Sequence, residues 1–390
     1  MNFFPQRRSG LIPIFVLLFF LLFGCKPEKV PQEFIFSNAH EAYMASLESA
    51  GLLNTALGRD WKSLSFQSLE NPVNIELPFL EQFLLDSALP GSAGYRFLVK
   101  RGQKIEIDID FSGKDSTLLF IDLFREKEDN IIEWHPVGSA SKGELLLQYE
   151  SRRDNYYILR IQPELLRGGT FELRIIEKPS LKFPVLGHGR RDIGSFFNEP
   201  RDGGRRKHHG VDIFASRHTA VLAPARAWVN SVGESDIGGR HVWLLDGSRT
   251  AYYYFAHLQE IKVSEKAWVN LGDTIGTVGN TGNARTTPPH LHFGIYLQQL
   301  GPVDPLAWIL KTDTSPDKIT NQSVALCSNK IVSEPIRMSY HLTGNGDFDS
   351  LLSENTRIKV LGKFSDSFRI QLENSLTGII DLEDLMGMSQ

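Results

Sequence analysis

Alternation of apolar and polar side chains limits what the first half of this 390-residue chain can fold into. Residues 95–100 and 105–111 carry apolar side chains at every second position, and Arg101-Gly102 between them is typical of a turn. A period of two places these side chains on one face of a β-strand. Further strand-like runs follow at 118–124, 156–161 and 171–175. Short strands separated by turns predict a β-sandwich over residues 71–179.

The residues before this sandwich have a different pattern. Asn38 followed three positions later by Glu41 is typical of a helix start. Apolar residues at helical spacing continue from Ala39 to about Ala56. We therefore predict that residues 25–70 form a linker and a short helical segment.

Two further domains are predicted after the sandwich. Residues 180–312 are rich in Gly and His, and their strand-like runs lie at 227–232, 241–246, 250–255 and 291–297. No long helical period interrupts these runs, so a central β domain is expected. A polar linker at 313–321 leads into residues 318–390, whose three short strands resemble a bacterial SH3-like barrel. The predicted fold class is mainly β throughout.

The N-terminus has the composition of an export signal. Arg7 and Arg8 precede an apolar run at 11–23, which is shorter than the roughly 20 residues that a membrane-spanning helix needs. This arrangement predicts a signal peptide over residues 1–24. The run ends in Gly24-Cys25, which resembles a bacterial lipobox. The resemblance implies lipidation of Cys25, export, and anchoring to a bacterial membrane facing the periplasm or the cell exterior; a chance cysteine after an ordinary signal is the alternative.

Charge and cysteine content exclude several classes of protein. The net charge of −4 provides no basic field, so no nucleic-acid partner is expected. Cys25 and Cys327 are the two cysteines, so lipidation of Cys25 leaves no intramolecular disulfide. Two cysteines also cannot form a Cys-rich zinc site.

Histidines and one aspartate occur at suggestive spacings in the central domain. His208 precedes Asp212 by four residues, and His290 and His292 flank one residue of a strand-like run, with His257 between the two groups. Side chains two apart on a strand point to the same face, so one can bind a metal while the other reaches a metal-bound water. Hydrolytic zinc sites use three nitrogen or carboxylate ligands and keep a fourth position open. The spacing alone therefore indicates metal-assisted hydrolysis, and the absence of His-Glu-x-x-His excludes the helical zinc motif.

The order His-x-Gly-x-Asp, a solitary His, then His-x-His resembles the lysostaphin-type, or LytM-like, peptidases. Flanking segments that are also similar to this family lie at 203–215, 269–276, 279–282, 288–294 and 302–305. The resemblance covers about residues 187–310 and implies a central antiparallel β domain. It implies a zinc metalloendopeptidase acting on peptidoglycan stem peptides or cross-bridges.

The resemblance also implies a role for each residue of the set. His208, Asp212 and His292 would bind one Zn²⁺ per chain, His290 would be the general base, and His257 would steady the water or the oxyanion. His209 is then a spacer, His218 replaces a turn glycine common in the family, and His241 is structural or on the surface. No role is assigned to His40, His135, His188 and His341.

Two alternatives stay open at this stage. Some relatives have lost metal ligands and act as activators of a cell-wall amidase, so a non-enzymatic regulator is one alternative. A peptidase acting on a protein outside the wall is the other. The flanking domains would bind glycan or protein, and a regulatory protein partner is compatible with either reading.

Overall fold

The computed structural model describes residues 38–113, 117–127, 134–311, 315–316, 319, 325–326, 328–339, 349–373 and 376–388. The predicted signal peptide, the predicted lipidation site at Cys25, Cys327, His341 and much of the predicted linker at 313–321 lie outside these residues. Within the part that is described, no helix combines the length and apolar character needed to cross a membrane.

The N-terminal part starts with two helices and continues as nine strands. They are α1 (Ala39–Ser49), α2 (Ala56–Glu70), β1 (Val73–Asn74), β2 (Phe79–Leu85), β3 (Ala93–Val99), β4 (Gln103–Gly113), β5 (Leu119–Glu126), β6 (Trp134–Ser139), β7 (Leu146–Glu150), β8 (Asn155–Pro163) and β9 (Gly169–Pro179). The side chain of Asn38 accepts a hydrogen bond from the Glu41 backbone N–H at 2.9 Å, which is the predicted helix start. Helix α2 runs to Glu70, beyond the helical spacing seen in the sequence, because small Ser65 and Ser68 occupy buried positions that an apolar pattern would not show.

Two sheets enclose the first core. One has the strand order β1-β3-β8-β5-β6, and the other contains the run β2-β9-β4-β7. Phe97 of the first sheet and Ile107 and Phe171 of the second are almost fully buried in the same hydrophobic cluster. This arrangement is the predicted β-sandwich, and the helices add a small cluster in which Trp61 packs with Phe120.

The central part is an antiparallel sheet, as the family resemblance implied. Its elements are β10 (Ile193–Ser195), β11 (Pro200–Arg201), β12 (Arg206–Lys207), β13 (Val211–Phe214), β14 (Ala220–Leu222), β15 (Ala227–Ser235), β16 (Gly239–Asp246), β17 (Ala251–Ile261), β18 (Trp268–Val269), β19 (Thr274–Val278), β20 (His290–Leu297), β21 (Gly301–Val303) and α3 (Leu306–Ile309). The main strand order is β10-β13-β20-β17-β16-β15-β18. Val211, Phe255 and Phe293 point into the core on one face. Asp212 lies directly opposite His292 in the register of β13 and β20, so these two side chains share the other face.

The C-terminal part extends the second sheet of the sandwich. Its elements are β22 (Asn329–Ile331), β23 (Ile336–Ser339), β24 (Asp349–Leu352), β25 (Arg357–Phe364), β26 (Ser367–Leu372), β27 (Thr377–Asp381) and α4 (Leu382–Met386). Strand β25 pairs with β2, which gives the continuous order β24-β23-β27-β26-β25-β2-β9-β4-β7. The pairing among the described strands is an open path, and the SH3-like resemblance and the domain boundaries stay predictions. The mainly β fold class is confirmed.

A buried ion pair fastens the C-terminal part to the sandwich. Arg369 donates two hydrogen bonds, of 2.9 and 2.8 Å, to the carboxylate of Glu81, and the Tyr95 hydroxyl donates a third at 2.6 Å. All three residues are buried. Removing one partner of such a pair typically costs about 3–5 kcal/mol, because the remaining charge is left in a low dielectric.

Arg249 connects the central sheet to the sandwich. Its guanidinium donates to Glu150 of β7 at 2.7 Å through two nitrogens, and to Asp246 of β16 at 2.8 Å. The contact holds the C-terminal end of β16 against the sandwich.

Candidate metal centre

Three side chains converge on the open face of the central sheet. The Nε2 atom of His208 lies 3.0 Å from Oδ1 of Asp212 and 2.9 Å from Nδ1 of His292. The Nδ1 atom of His292 is in turn 3.0 Å from Oδ1 of Asp212. His208 and Asp212 are buried and His292 is largely so. The predicted metal ligands are therefore within reach of a single ion.

The donor set fits a divalent metal ion. Tetrahedral zinc with bonds of about 2.0–2.1 Å places its ligand atoms about 3.3 Å apart, close to the separations found between these three atoms. Two imidazole nitrogens and one carboxylate oxygen also match the borderline donor preference of zinc. Burial alone would raise the pKa of Asp212, but the adjacent His208 and His292 side chains outweigh it and hold this pKa below its usual range. The carboxylate is thus ionised and ready to bind a cation.

The backbone fixes the ring orientation of His208. Its Nδ1 lies 2.8 Å from the carbonyl oxygen of Phe196, which can only accept, so Nδ1 carries the proton. The Nε2 lone pair is then directed at the cluster. A carbonyl that holds the outer nitrogen of a ligand histidine is a common way to set its tautomer.

Arg201 contacts the cluster, although the sequence analysis did not predict it. It donates to Oδ2 of Asp212 at 2.7 Å, on the side away from the two histidines, and also hydrogen-bonds to Ser195. Arg201 sits in β11, which pairs with β12, and this small hairpin places the guanidinium beside β13. Because one carboxylate oxygen is taken by Arg201, Asp212 offers a metal the other oxygen alone.

His257 and His290 form a second pair beside the first cluster. Their ring centroids are 5.0 Å apart, and the His257 ring is 6.2 Å from that of His292. The Nδ1 of His257 donates to the carbonyl of Thr281 at 2.9 Å, and that of His290 donates to the carbonyl of Pro288 at 2.9 Å. Each ring therefore keeps Nε2 as an acceptor. Burial, followed by the neighbouring His290, lowers the pKa of His257 to about 4.

The backbone of His257 is unusual for a non-glycine residue. It has a φ of 62°, in the left-handed region, at a point where the pairing of β17 with β16 is irregular. Residues held in this region cost about 1–3 kcal/mol and are concentrated at functional sites. The strain accounts for how a strand residue turns its ring toward His290.

The remaining histidines lie outside this cluster. His218 is exposed and has a φ of 72°, which fits its predicted place at a turn where relatives have glycine. His209 is exposed, and His241 hydrogen-bonds to the carbonyl of Gly239 at 2.9 Å. The structure thus brings together the five residues singled out by spacing and excludes their neighbours.

An antiparallel sheet with a convergent His/Asp set and two acceptor histidines is the arrangement of a candidate metal-dependent hydrolase. Residues 206–305 match the model of peptidase family M23, so the chain carries a domain of that family.

Curated relatives of this domain have peptidase names. The chain is 39% identical over 101 residues to an L-Ala–D-Glu endopeptidase of Bacillus subtilis, which covers 24% of this chain and 31% of the relative. It is 32% identical over 124 residues to a peptidoglycan DD-endopeptidase of Vibrio cholerae, covering 31% of this chain and 27% of the relative. The chain thus matches less than a third of the length of these relatives.

Among solved structures, the catalytic domain of the antimicrobial peptidase lysostaphin from Staphylococcus simulans is 28% identical, covering 29% of this chain and 87% of that chain at a TM-score of 0.27. The fold described above rests on the strand pairing.

Proposed function

We propose that this protein is a zinc-dependent endopeptidase that hydrolyses peptide bonds of peptidoglycan stem peptides or cross-bridges. The observation that carries the proposal is the convergence of His208, Asp212 and His292 within 3.0 Å of one another, with two further histidines beside them. The M23 domain and its peptidoglycan-directed relatives support it. The names of the two relatives refer to different bonds, so the bond cut here is left to experiment.

A zinc ion held by His208, Asp212 and His292 would act as a Lewis acid that acidifies a water and polarises the scissile carbonyl. His290 would accept the proton of the attacking water at Nε2, because its Nδ1 proton is committed to the Pro288 carbonyl. The same nitrogen would then deliver the proton to the leaving amine. His257, kept neutral by burial and oriented by the Thr281 carbonyl, would accept a hydrogen bond from the water and hold it in line.

Zinc content and digestion of purified peptidoglycan test this proposal. The full chain should bind about one zinc and release muropeptides in a reaction that a chelator stops. His292→Ala should lose both properties, and His188→Ala, a histidine of the same domain outside the cluster, should keep them. A zinc-loaded chain that releases no muropeptides would overturn the proposal. Stimulation of a purified wall amidase by both wild type and His292→Ala would establish the regulatory alternative in its place.

We further propose that the protein is exported and anchored by a lipid on Cys25. Support comes from the basic start, the short apolar run at 11–23 and the Gly24-Cys25 junction. A substrate in the cell wall also requires a location outside the cytoplasm. Labelling of cells with a fatty-acid probe should mark the wild-type protein and leave Cys25→Ser unmarked; equal labelling of both would refute the lipid anchor.

A further inference from the structure

Four aromatic side chains lie side by side on the open face of the central sheet. They are Trp243 of β16, Tyr252 and Tyr254 of β17, and Tyr296 of β20, and we call them the aromatic strip. Cross-strand register pairs Trp243 with Tyr254 and Tyr252 with Tyr296. The ring of Trp243 lies 4.3 Å from that of Tyr254 and 5.0 Å from that of Tyr296, measured between centroids. These contacts hold the rings in place before any ligand arrives.

The alternation of the strands explains why the strip is on the surface. Val242, Leu244, Tyr253 and Phe255, which alternate with the strip residues, are fully buried in the core. The strip residues are each partly exposed. Large aromatic side chains gathered on an exposed face usually mark a binding surface, since isolated exposure is common but clustering is not.

The strip is continuous with the candidate metal centre. The Tyr254 ring lies 5.8 Å from the ring of His292. Along β20, His292, Gly294 and Tyr296 occupy successive positions of the same face. A substrate lying over His292 would therefore pass onto the aromatic strip as it continues along the sheet.

Two glycines let neighbouring segments approach the strip closely. A Cβ on Gly294 would lie 2.8 Å from the His209 carbonyl oxygen and 3.0 Å from a ring carbon of Tyr296. A Cβ on Gly238 would lie 2.1 Å from the Tyr254 hydroxyl. The segment containing His209 and the turn before β16 thus border the strip.

The chemistry of the strip is apolar and uncharged, with hydroxyl groups at its edge. Tryptophan does not ionise near physiological pH and tyrosine ordinarily ionises only at about pH 10, so the strip is made of neutral side chains. Among the described residues, none hydrogen-bonds to the hydroxyls of Tyr252, Tyr254 or Tyr296. The strip itself carries no cation to pair with the carboxylates of wall peptides, and the rings of His209 and His241 contact Tyr296 and Tyr254 at its border. It does offer flat faces and hydroxyls, which match the C–H faces and hydroxyls of an uncharged sugar ring.

We propose that the aromatic strip binds sugar rings of the glycan strand, so that the substrate is a peptide still attached to its sugars. The strip crosses three adjacent strands, about 10 Å in all, which accommodates about two sugar rings. This proposal rests on the proposed function, because it places the scissile peptide at the metal centre and the glycan beside it.

Matched substrates test the proposal. A cross-linked muropeptide dimer with its disaccharides would be compared with the same dimer after an amidase has removed the sugars. Wild type should have a kcat/KM about tenfold or more higher for the sugar-bearing dimer, through a lower KM, as expected for a well-packed aromatic anchor. Trp243→Ala should lose this preference and keep its kcat for the sugar-free dimer. Trp268→Ala is the matched control, because Trp268 is an exposed tryptophan of β18 outside the strip.

Binding of peptide-free glycan strands to the full chain gives a second readout that does not need catalysis. Wild type and Trp268→Ala should bind these strands, and Trp243→Ala should bind about tenfold more weakly; Tyr296→Ala replaces it if Trp243→Ala does not fold. Equal cleavage of both dimers, together with unchanged glycan binding by the strip variants, would overturn the proposal that the aromatic strip binds glycan. It would not affect the proposed peptidase function. Cleavage of neither dimer counts against the proposed function, and glycan binding then still decides the strip.

Discussion

Two regions of the molecule contain buried histidines, and only one of them has the geometry of a metal site. In the helical region, His40 is 2% exposed, stacks on Trp61 at a centroid distance of 4.8 Å, and contacts the edge of Phe120. Its Nε2 lies 2.7 Å from Oε1 of Gln162, whose amide nitrogen donates to the Trp61 carbonyl. His40 Nε2 and both polar atoms of the Gln162 amide thus have partners within the core.

The central region differs in where its histidine nitrogens point. His208 is 5% exposed, so it is about as buried as His40. Its Nε2, however, meets a carboxylate oxygen and a second imidazole nitrogen, at 3.0 and 2.9 Å. Burial alone therefore does not identify a functional histidine; convergence of several donor atoms on one point does.

The largest expected contrast between the regions is in metal binding. His292→Ala should lose bound zinc and reduce hydrolysis by more than about 1000-fold, because two remaining ligands do not hold a catalytic ion. His40→Ala should keep its zinc and instead destabilise the fold by about 2–4 kcal/mol through the cavity beside Trp61. Zinc analysis and chemical denaturation of both variants measure the contrast. Stoichiometric zinc in His292→Ala would contradict the ligand assignment.

The next largest effect is expected on lowering the pH, which should destabilise the fold through His40. Burial, and then Arg160, lowers the pKa of His40 from 6.5 to about 4 in the folded protein. Between pH 6.5 and pH 4 the His40 side chain is protonated in the unfolded chain but not in the folded protein. The contribution of neutral His40 to the free energy of unfolding is therefore fully present above pH 6.5 and is lost as the pH falls through 4. The total loss is about 3 kcal/mol. Chemical denaturation between pH 7 and pH 4 should show that the free energy of unfolding falls less steeply with pH in His40→Phe than in wild type. The same pH dependence in both proteins would contradict this account.

Arg201→Met should weaken zinc binding by about 10–100-fold, the usual effect of removing a group that orients a metal ligand. Competition with a chromophoric chelator measures the dissociation constant without relying on activity. Arg205→Met provides a control in the same loop, because Arg205 bonds to the backbone of Asp202 and not to Asp212. Tighter zinc binding by Arg201→Met would show that the repulsion between Arg201 and the cation outweighs its orienting role.

The smallest effect is expected at the start of α1, the helix that carries His40. Asn38→Ala removes the capping side chain of this helix and should lower the free energy of unfolding by about 1 kcal/mol. Zinc affinity should be unchanged, because the helix contributes nothing to the metal cluster. A change in zinc affinity would mean that the two regions are coupled.

The sequence predicted what depends on local pattern and on spacing. Alternation located most strands, since each has one face in a core, and the order of His208, Asp212, His257, His290 and His292 picked out the residues that the fold brings together. Their roles in zinc binding and catalysis stay predictions.

Features that depend on distant contacts were not predictable in this way. Arg201 meets Asp212 only because the hairpin of β11 and β12 folds beside β13. Strand β2 meets β25 through Gln82 and Lys363, which no period in either segment indicates.

The pairing of β2 with β25 determines how this protein can be cut and rebuilt. The chain leaves the second sheet of the sandwich after β9, forms the central part, and returns to the same sheet with β22, so the central part is inserted between strands of that sheet. An exchange of residues 180–312 for another domain with neighbouring ends would leave the sheet complete. Truncation at residue 312 would instead strip β25 from β2 and leave the Glu81 carboxylate buried without Arg369. The two flanks therefore depend on each other through one sheet, to which the central part contributes no strand.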